Sequence, residues 1–344
     1  MRGAPAGSSP RQAWLDGQEP VKMSDPSPDG SNTTDWTSAY HAPVLAREVT
    51  DVLWGAKRVL DGTLGGGGHA QAMLDSGVDL VIGVDRDPEA LAEARERLAA
   101  FESAGRFRAH LGNYADLDDI PELAGLRFSG ILLDLGISSH QIDDPARGFT
   151  FREQAPLDMR MGATETGSTA ADLLNSLEER SLATVFREYG DERRASRLAR
   201  EVVRRRATRP FVVSDDLVRA IRAALGPRSG PPDFARLFQA VRIAVNDELS
   251  GLERALPRLR DRLEPSGVLA VIAYHSGEDR LVKHAFREWA ADCVCPPRQV
   301  VCTCRGRALG ELTSRKALTA TEAEVAANPR ARSARLRAFR AAAA

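Results

Sequence analysis

A glycine loop, three acids, a histidine and four cysteines are the residues whose types and spacing could do chemistry in this chain. Residues 61–69 read Asp-Gly-Thr-Leu-Gly-Gly-Gly-Gly-His. Glycines at that density let the backbone take positive φ and approach a ligand closely, and a helix starting behind them offers free N–H groups. Asp85 lies 20 residues beyond Gly65. At the end of the next strand, that spacing suits a carboxylate accepting hydrogen bonds from both hydroxyls of a ribose. Asp134 opens a second polar run, Asp-Leu-Gly-Ile-Ser-Ser-His-Gln, at residues 134–141. An exocyclic amine has its lone pair delocalised into the ring, and an acceptor such as Asp134 or a nearby carbonyl would localise it for attack. The plainer readings are a tight turn with a solvent-facing Asp85, and an Asp134 that caps its own turn. His275, followed by Ser276 and Glu278, could contact a substrate or serve as a structural hydrogen-bond partner.

The four cysteines are Cys293, Cys295, Cys302 and Cys304, too local for a disulfide framework in 344 residues. Four thiolates could bind zinc, but structural zinc sites usually space paired ligands by two to four residues. With one residue between the members of each pair, a reduced, partly buried hairpin without metal is expected.

The elements that must position these groups follow from the hydrophobic pattern. Residues 58–61 form a short strand, 62–68 the glycine loop and 69–76 a helix. Residues 80–85 (Leu-Val-Ile-Gly-Val-Asp) are an apolar, β-branched run of the kind found in buried parallel strands. Pro88 opens a helix reaching about Ala100. Residues 107–110 and 130–135 supply a third and a fourth strand, 267–274 another, and 278–291 a helix. Strands alternating with helices predict an α/β fold, a parallel sheet covered on both faces. Between about 143 and 245 the alternation gives way to helical periodicity rich in Arg and Glu. The expected organisation is a disordered tail over 1–37, rich in Pro, Gly, Ser and Asp, and the first part of an α/β domain over 38–142. An inserted helical domain for substrate recognition follows over 143–245. The second part of the α/β domain and a basic C-terminal segment complete the chain over 246–344.

Composition narrows the function classes. The chain carries 47 Lys+Arg and 48 Asp+Glu, a net charge of −1, which excludes a uniformly basic nucleic-acid coat but not a local patch. Its longest apolar run, near 268–273, is far short of the ~20 residues of a membrane span. No secretory pattern opens the sequence, so the cytoplasm is the expected address. Gly65, Gly67 and Ala70 satisfy the dinucleotide pattern G-x-G-x-x-A. A nicotinamide oxidoreductase normally repeats the mononucleotide unit, and no second glycine fingerprint is seen. An S-adenosylmethionine site needs one half only, with a further acid at the fourth strand, where Asp134 stands. Methyl transfer fits better.

Taken together, residues 61–69, 85–88, 132–139, 147–151, 156–161, 238–243, 275–283 and 324–332 resemble the ribosomal RNA small-subunit methyltransferase H family, also called MraW. The likeness runs from about His41 to Arg340. It implies S-adenosylmethionine-dependent N4-methylation of a cytidine in the decoding region of small-subunit (16S) rRNA, and a class I methyltransferase (Rossmann-like) sheet with an inserted helical domain. Carried over by motif, the cofactor contacts would be Gly67, Gly68, His69, Asp85, Tyr114, Asp134 and Gln141. Tyr114 stands where the family often has Phe, and either ring could pack on adenine. Asp134 and His275 are the catalytic candidates. Gly277 replaces the Leu usual in the His-Ser-Leu-Glu-Asp-Arg motif, and the Pro-Pro signature of DNA amine methylases is absent.

Two stretches depart from the balanced total. Residues 187–209 hold nine Arg against four acids, and 305–340 hold nine Arg/Lys against three. Such runs are often solvated faces laced with i,i+4 pairs, but the resemblance favours RNA contact for part of each. A base within folded RNA must be unstacked to react, and Arg147, Phe149, Asp158 and Arg160 are candidates to guide it. The partner expected is small-subunit rRNA, within an assembled or assembling subunit; a homodimer stays open. A reading of another class is an assembly factor that binds rRNA on its Arg-rich faces and keeps an inactive cofactor fold. The intact Gly65–His69 loop, Asp85 and Asp134 favour the enzyme.

Overall fold

Short runs of leucine and β-branched residues, punctuated by glycine and proline, become the strands of a seven-stranded sheet. The structure is a computed structural model and describes residues 43–137, 141, 144–162, 167–296, 298–299 and 301–344. The expected tail over 1–37, the start of order at His41 and Ala42, and Ser138 to His140 lie outside the described residues. In chain order the first half comprises α1 (Ala46–Val52), β1 (Arg58–Asp61), α2 (Gly68–Asp75), β2 (Leu80–Asp85), α3 (Pro88–Arg97), α4 (Ala99–Ser103), β3 (Phe107–Leu111) and β4 (Phe128–Asp134). The helix expected from Pro88 to Ala100 is thus two helices. Leu98 leaves helical geometry between them and packs, fully buried, beneath the glycine loop.

Helices α5 (Ala170–Ser176), α6 (Glu179–Thr184), α7 (Ala195–Arg206), α8 (Ser214–Leu225) and α9 (Pro231–Val245) come next. The chain then returns to the sheet through α10 (Glu248–Asp261), β5 (Leu263–Ala273), α11 (Ser276–Trp289), β6 (Gly310–Leu312), α12 (Glu322–Ala327) and β7 (Arg335–Ala341).

The strand order is β3-β2-β1-β4-β5-β7-β6. The first five are parallel, and β7 runs antiparallel to both β5 and β6. Neighbouring residues on each central strand enter opposite cores, as the two-residue period of a strand requires. Val59, Val81, Leu132 and Ile272 face α1, α2 and α3. Leu60, Ile82, Leu133 and Val271 face α10 and α11. A third core, with Leu173, Leu198, Leu217, Phe234 and Phe238, belongs to the helices between β4 and β5.

The C-terminal strands tie part of the basic run 305–340 into the sheet. β7 is an inner strand of the sheet, with Leu336, Ala338 and Phe339 buried. Arg337 makes two hydrogen bonds to Asp279, at 2.7 and 3.1 Å. The motif at 324–332 is tied to the same scaffold, because Glu324 Oε1 accepts from Leu45 N at 2.7 Å and so holds the entry to α1.

Candidate active site

All five parallel strands end at one sheet edge, and the loops following β1, β2, β4 and β5 meet there around a cleft. Positive φ makes the first loop possible: Gly65 has φ +51° and Gly67 +78°. A Cβ built on Gly65 would meet nothing within 4 Å, so its backbone faces open cleft. A Cβ on Gly67 would press on Leu98 and Ala94 of the α3–α4 region. Gly67, expected among the cofactor contacts, lies behind the loop rather than on the lining; Gly65, Gly66 and Gly68 line the cleft.

Asp85 closes β2 opposite this loop. Its Oδ2 accepts from Gly65 N at 2.7 Å and its Oδ1 from Asp87 N at 2.9 Å. The carboxylate therefore shapes the loop as well as facing the cleft. Burial pushes its pKa up, against hydrogen bonds from Asp87 and Gly65 that pull it down. Tyr114, from the turn after β3, lines the same side.

Asp134 lies on the cleft floor. Its Oδ1 accepts from the Tyr274 hydroxyl at 2.8 Å, and its backbone N–H donates to Thr63 Oγ1 at 2.6 Å. His69 Nδ1 stands 3.6 Å from Asp134 Oδ2. The other ring nitrogen, Nε2, is 2.8 Å from Val44 O. A carbonyl only accepts, so Nε2 carries the hydrogen and Nδ1 is the basic nitrogen facing the acid. Desolvation raises Asp134 to about 7, opposed by the Tyr274 hydrogen bond. Asp61, beneath the same loop, is also pushed to about 7 by burial, with His69 opposing. Among the described residues, Asp61 Oδ2 is buried with no hydrogen-bond partner. Asp134 on the floor is thus a carboxyl that burial makes reluctant to ionise until a cation arrives, while Asp61 lies behind the lining.

Gln141 is buried on the lining, and its Nε2 donates to Asp87 Oδ2 at 3.0 Å. Asp87 also caps α3 through Glu89 N and pairs with Arg147 Nη1 at 2.7 Å. Arg147 Nη2 donates to Met161 O at 2.6 Å. Arg147, expected to guide a base, therefore points inward and fastens the segment after β4 beneath α3. Asp158 and Arg160 form a bidentate pair at 2.8 and 2.7 Å, partly exposed. Phe149 packs on the third core, with the Arg147 guanidinium 6.0 Å from its ring centre. None of Arg147, Phe149, Asp158 or Arg160 is on the lining; Met161 is.

His275 is the N-cap of α11: its Nδ1 accepts from Gly277 N at 3.2 Å and from Glu278 N at 3.4 Å. Its Nε2 lies 3.0 Å from Glu278 Oε1 but out of line for a hydrogen bond. Its place is at the head of a helix, beside the cleft and not on it. A Cβ on Gly277 would come within 3.1 Å of the imidazole. The neighbours Tyr274 and Glu278 are the residues that face the cleft.

Sequence reasoning passed over Arg86, Asn113, Tyr274 and the run Asn246–Asp247–Glu248, all on the lining. Tyr274 ends the apolar run of β5 and was detectable as the residue beyond it. Asn246 bridges the helices to the cleft, accepting from Met161 N at 2.8 Å and donating to Met159 O at 2.7 Å. Asp247 has φ +51°, a left-handed backbone rarely taken by a non-glycine residue, where α10 begins at the cleft. Those two carried no pattern visible before the fold was known.

The profile of the MraW methylase family matches residues 38–342. A protein of Gemmatimonas aurantiaca named ribosomal RNA small subunit methyltransferase H is 66% identical over 306 residues, covering 89% of this chain and 96% of its own. One of the same name from Heliobacterium modesticaldum is 46% identical over 308 residues, covering 87% of this chain and 97% of its own. Among solved structures, an rRNA methylase from Streptococcus thermophilus is similar at TM-score 0.36 and 11% identity, covering 86% of this chain and 93% of the other.

Proposed function

The chain belongs to the MraW methylase family, and on that premise we propose that it methylates N4 of a cytidine in the decoding region of small-subunit rRNA, using S-adenosylmethionine. The observation that carries the reading is the open glycine loop facing Asp85, with Asp134 on the cleft floor raised to about 7 by burial. A cofactor with a sulfonium charge fits that floor, because it supplies the cation that lets buried carboxyls ionise. Gly65 leaves room for the ligand at its backbone, Asp85 offers its remaining acceptor capacity to the ribose hydroxyls, and Tyr114 offers a ring to the adenine.

When bound, the cofactor supplies an electrophilic methyl group whose carbon–sulfur electron pair stays with sulfur. The chain's work is to orient and hold the amine. Asp134 presents an acceptor at the floor, steadied by Tyr274 and Thr63, to draw the N4 hydrogen and localise the lone pair. After methylation the cationic amine loses its proton to water or to Asp134. His275 has no chemical step in this scheme; it is a positioning residue that starts α11, and through it Glu278 and Tyr274 are set.

The substrate side is assigned to the helices over 143–245, with the small subunit, assembled or assembling, as the partner in the cytoplasm. Arg197, Arg200 and Arg204 lie on one exposed face of α7 while Leu198, Ala199 and Val202 are buried. Among the described residues no helix is long and apolar enough to cross a membrane.

The test is incubation with methyl-labelled S-adenosylmethionine and small subunits lacking the modification, followed by nucleoside analysis. Label in N4-methylcytidine is expected. Bound cofactor without transfer to subunits or free rRNA would leave the fold and turn the function to ribosome assembly.

A further inference from the structure

Between α11 and β6 the chain makes an excursion on which four exposed or half-exposed cysteines meet. Leu309 N donates to Trp289 O at 2.8 Å and closes its base, and Arg305 Nη2 donates to Ala291 O at 3.1 Å. Beyond that base the apolar side chains face outward, with Val294 39% and Val301 69% exposed. Four thiols converge instead. The Sγ atoms of Cys293, Cys295, Cys302 and Cys304 all lie within 4.8 Å of one another. Cys302 is 3.8 Å from Cys293, 3.9 Å from Cys295 and 3.5 Å from Cys304, and Cys304 is 3.8 Å from Cys293.

From these separations we infer that the four cysteines form a structural zinc site, distinct from the cofactor cleft. Zinc–thiolate bonds of about 2.3 Å in a tetrahedron place the sulfurs about 3.8 Å apart along each edge. Four of the six separations, at 3.5–3.9 Å, lie near that value and are far longer than the roughly 2.05 Å of a disulfide. Separations so short enclose one ion rather than a metal cluster, and an all-sulfur tetrahedron selects zinc among the common divalent ions. The one-residue spacing that weighed against a metal is answered by the observed convergence, since both sulfurs of each pair lie within 4.8 Å of each other and of the other pair. Each pair thus supplies two corners, one pair from either limb of the excursion. Val294 N donates to Cys304 Sγ at 3.4 Å, a hydrogen bond that a thiolate strengthens. Arg298, Arg305 and Arg307 against Asp292 leave residues 292–309 with a surplus of positive charge. That surplus offsets the two negative charges of a zinc–tetrathiolate centre.

The site follows Trp289, whereas Glu278, at the other end of α11, lines the cleft. At 1.5 Å per residue that is about 17 Å of helix. The ion holds the excursion in place of an apolar core and takes no part in methyl transfer.

The experiment uses the full chain purified under reducing conditions after zinc supplementation. Metal content is measured by elemental mass spectrometry and thiols by titration before and after denaturation with chelator. One zinc per chain is expected, with four thiols protected in the native protein and released together. Cobalt exchanged into the site should give the sulfur-to-metal charge-transfer bands of a tetrathiolate. Cys302→Ser and the Cys293→Ser/Cys302→Ser double variant should lose at least nine-tenths of the zinc while binding S-adenosylmethionine as before. If a variant fails to fold, zinc stoichiometry and the cobalt spectrum of the unaltered chain still decide. Four freely titrating thiols without metal, two disulfides, or iron in place of zinc would each overturn the assignment.

Discussion

Two regions concentrate charge in this protein, and burial gives them opposite characters. At the cleft, Asp134 on the floor and Asp61 buried behind the glycine loop are both out of water, and desolvation lifts each to about 7. On α7 the acid is Glu201, which a hydrogen bond from Arg204, then one from Arg205, pulls down to about 2. The first region holds acids that await a cation. The second holds acids already satisfied by arginine, with Arg197 and Arg200 left at the exposed surface beside them. A charge count along the sequence treats the two alike. The fold separates a site poised for a cationic cofactor from a face suited to screened phosphate contact.

The strongest test of this contrast sets Asp134 against His275, neighbours at one sheet edge with different orientations. Asp134→Asn keeps the shape and removes the strong acceptor, so kcat should fall by about 10²–10³ while cofactor affinity changes far less. His275→Ala removes a helix cap, which costs about 1 kcal/mol of folding stability and should leave kcat little changed. Single-turnover methylation and denaturant unfolding read the two effects separately. Equal losses of kcat in both variants would return His275 to the chemistry.

Asp85→Ala should come next in size. The change removes the proposed ribose acceptor and the anchor of Gly65 N. Hydrogen bonds to a charged group are worth about 1.5–3 kcal/mol, so cofactor Kd should rise about 10- to 100-fold by calorimetry. Unchanged affinity would refute the ribose assignment.

The raised acids make a pH prediction with a definite sign. Folding lifts them from 3.8 to about 7. Between those values the native state keeps protons that the unfolded chain releases, so in the protein without cofactor stability falls as pH rises through that window. Binding a cation favours the ionised forms, so cofactor affinity should rise with pH. For one required carboxylate near 7, the gain between pH 6 and 8 is about tenfold. S-adenosylhomocysteine lacks the sulfonium charge and should show a smaller rise, and Asp134→Asn should flatten the curve. A slope of the opposite sign would place the charged cofactor away from this floor.

What could be read in advance divides along the same line. The parallel strands and the glycine loop follow from local pattern, because a buried strand must be continuously apolar and a loop with positive φ must be glycine. Asp85 and Asp134 were identifiable as acids at strand ends. Direction was not. Gly67 faces Leu98, Arg147 turns inward to Asp87, and His275 caps α11. Each of these depends on which way one residue faces in the folded chain, a tertiary property without periodicity. Strand β7 was hidden because its arginines alternate with the buried Leu336 and Ala338, and charge masked the alternation. The same blindness applies to the arginines of 187–209, several of which are internal fasteners. Arg206 donates to Leu174 O and Leu177 O at 2.9 and 2.7 Å, and Arg194 to Leu225 O at 2.9 Å.

That distinction sets the last and smallest expected effect. Arg197 and Arg200 occupy the exposed face of α7; Arg200 is 74% exposed and 3.6 Å from Glu179, a surface pair worth about 0–1 kcal/mol. The double variant Arg197→Glu/Arg200→Glu should fold and bind cofactor normally. If this face meets phosphate, KM for small subunits should rise several-fold at about 0.15 M salt, with kcat unchanged. The logarithmic salt dependence should become shallower by about 0.7–0.9 for each phosphate that the variant no longer neutralises. Arg206→Ala is the opposing control, since it removes a fastener and should lower stability without changing the salt slope. An unchanged KM and slope in the double variant would place RNA on another surface, and the exposed arginines of α7 would then be no more than a solvated helix face.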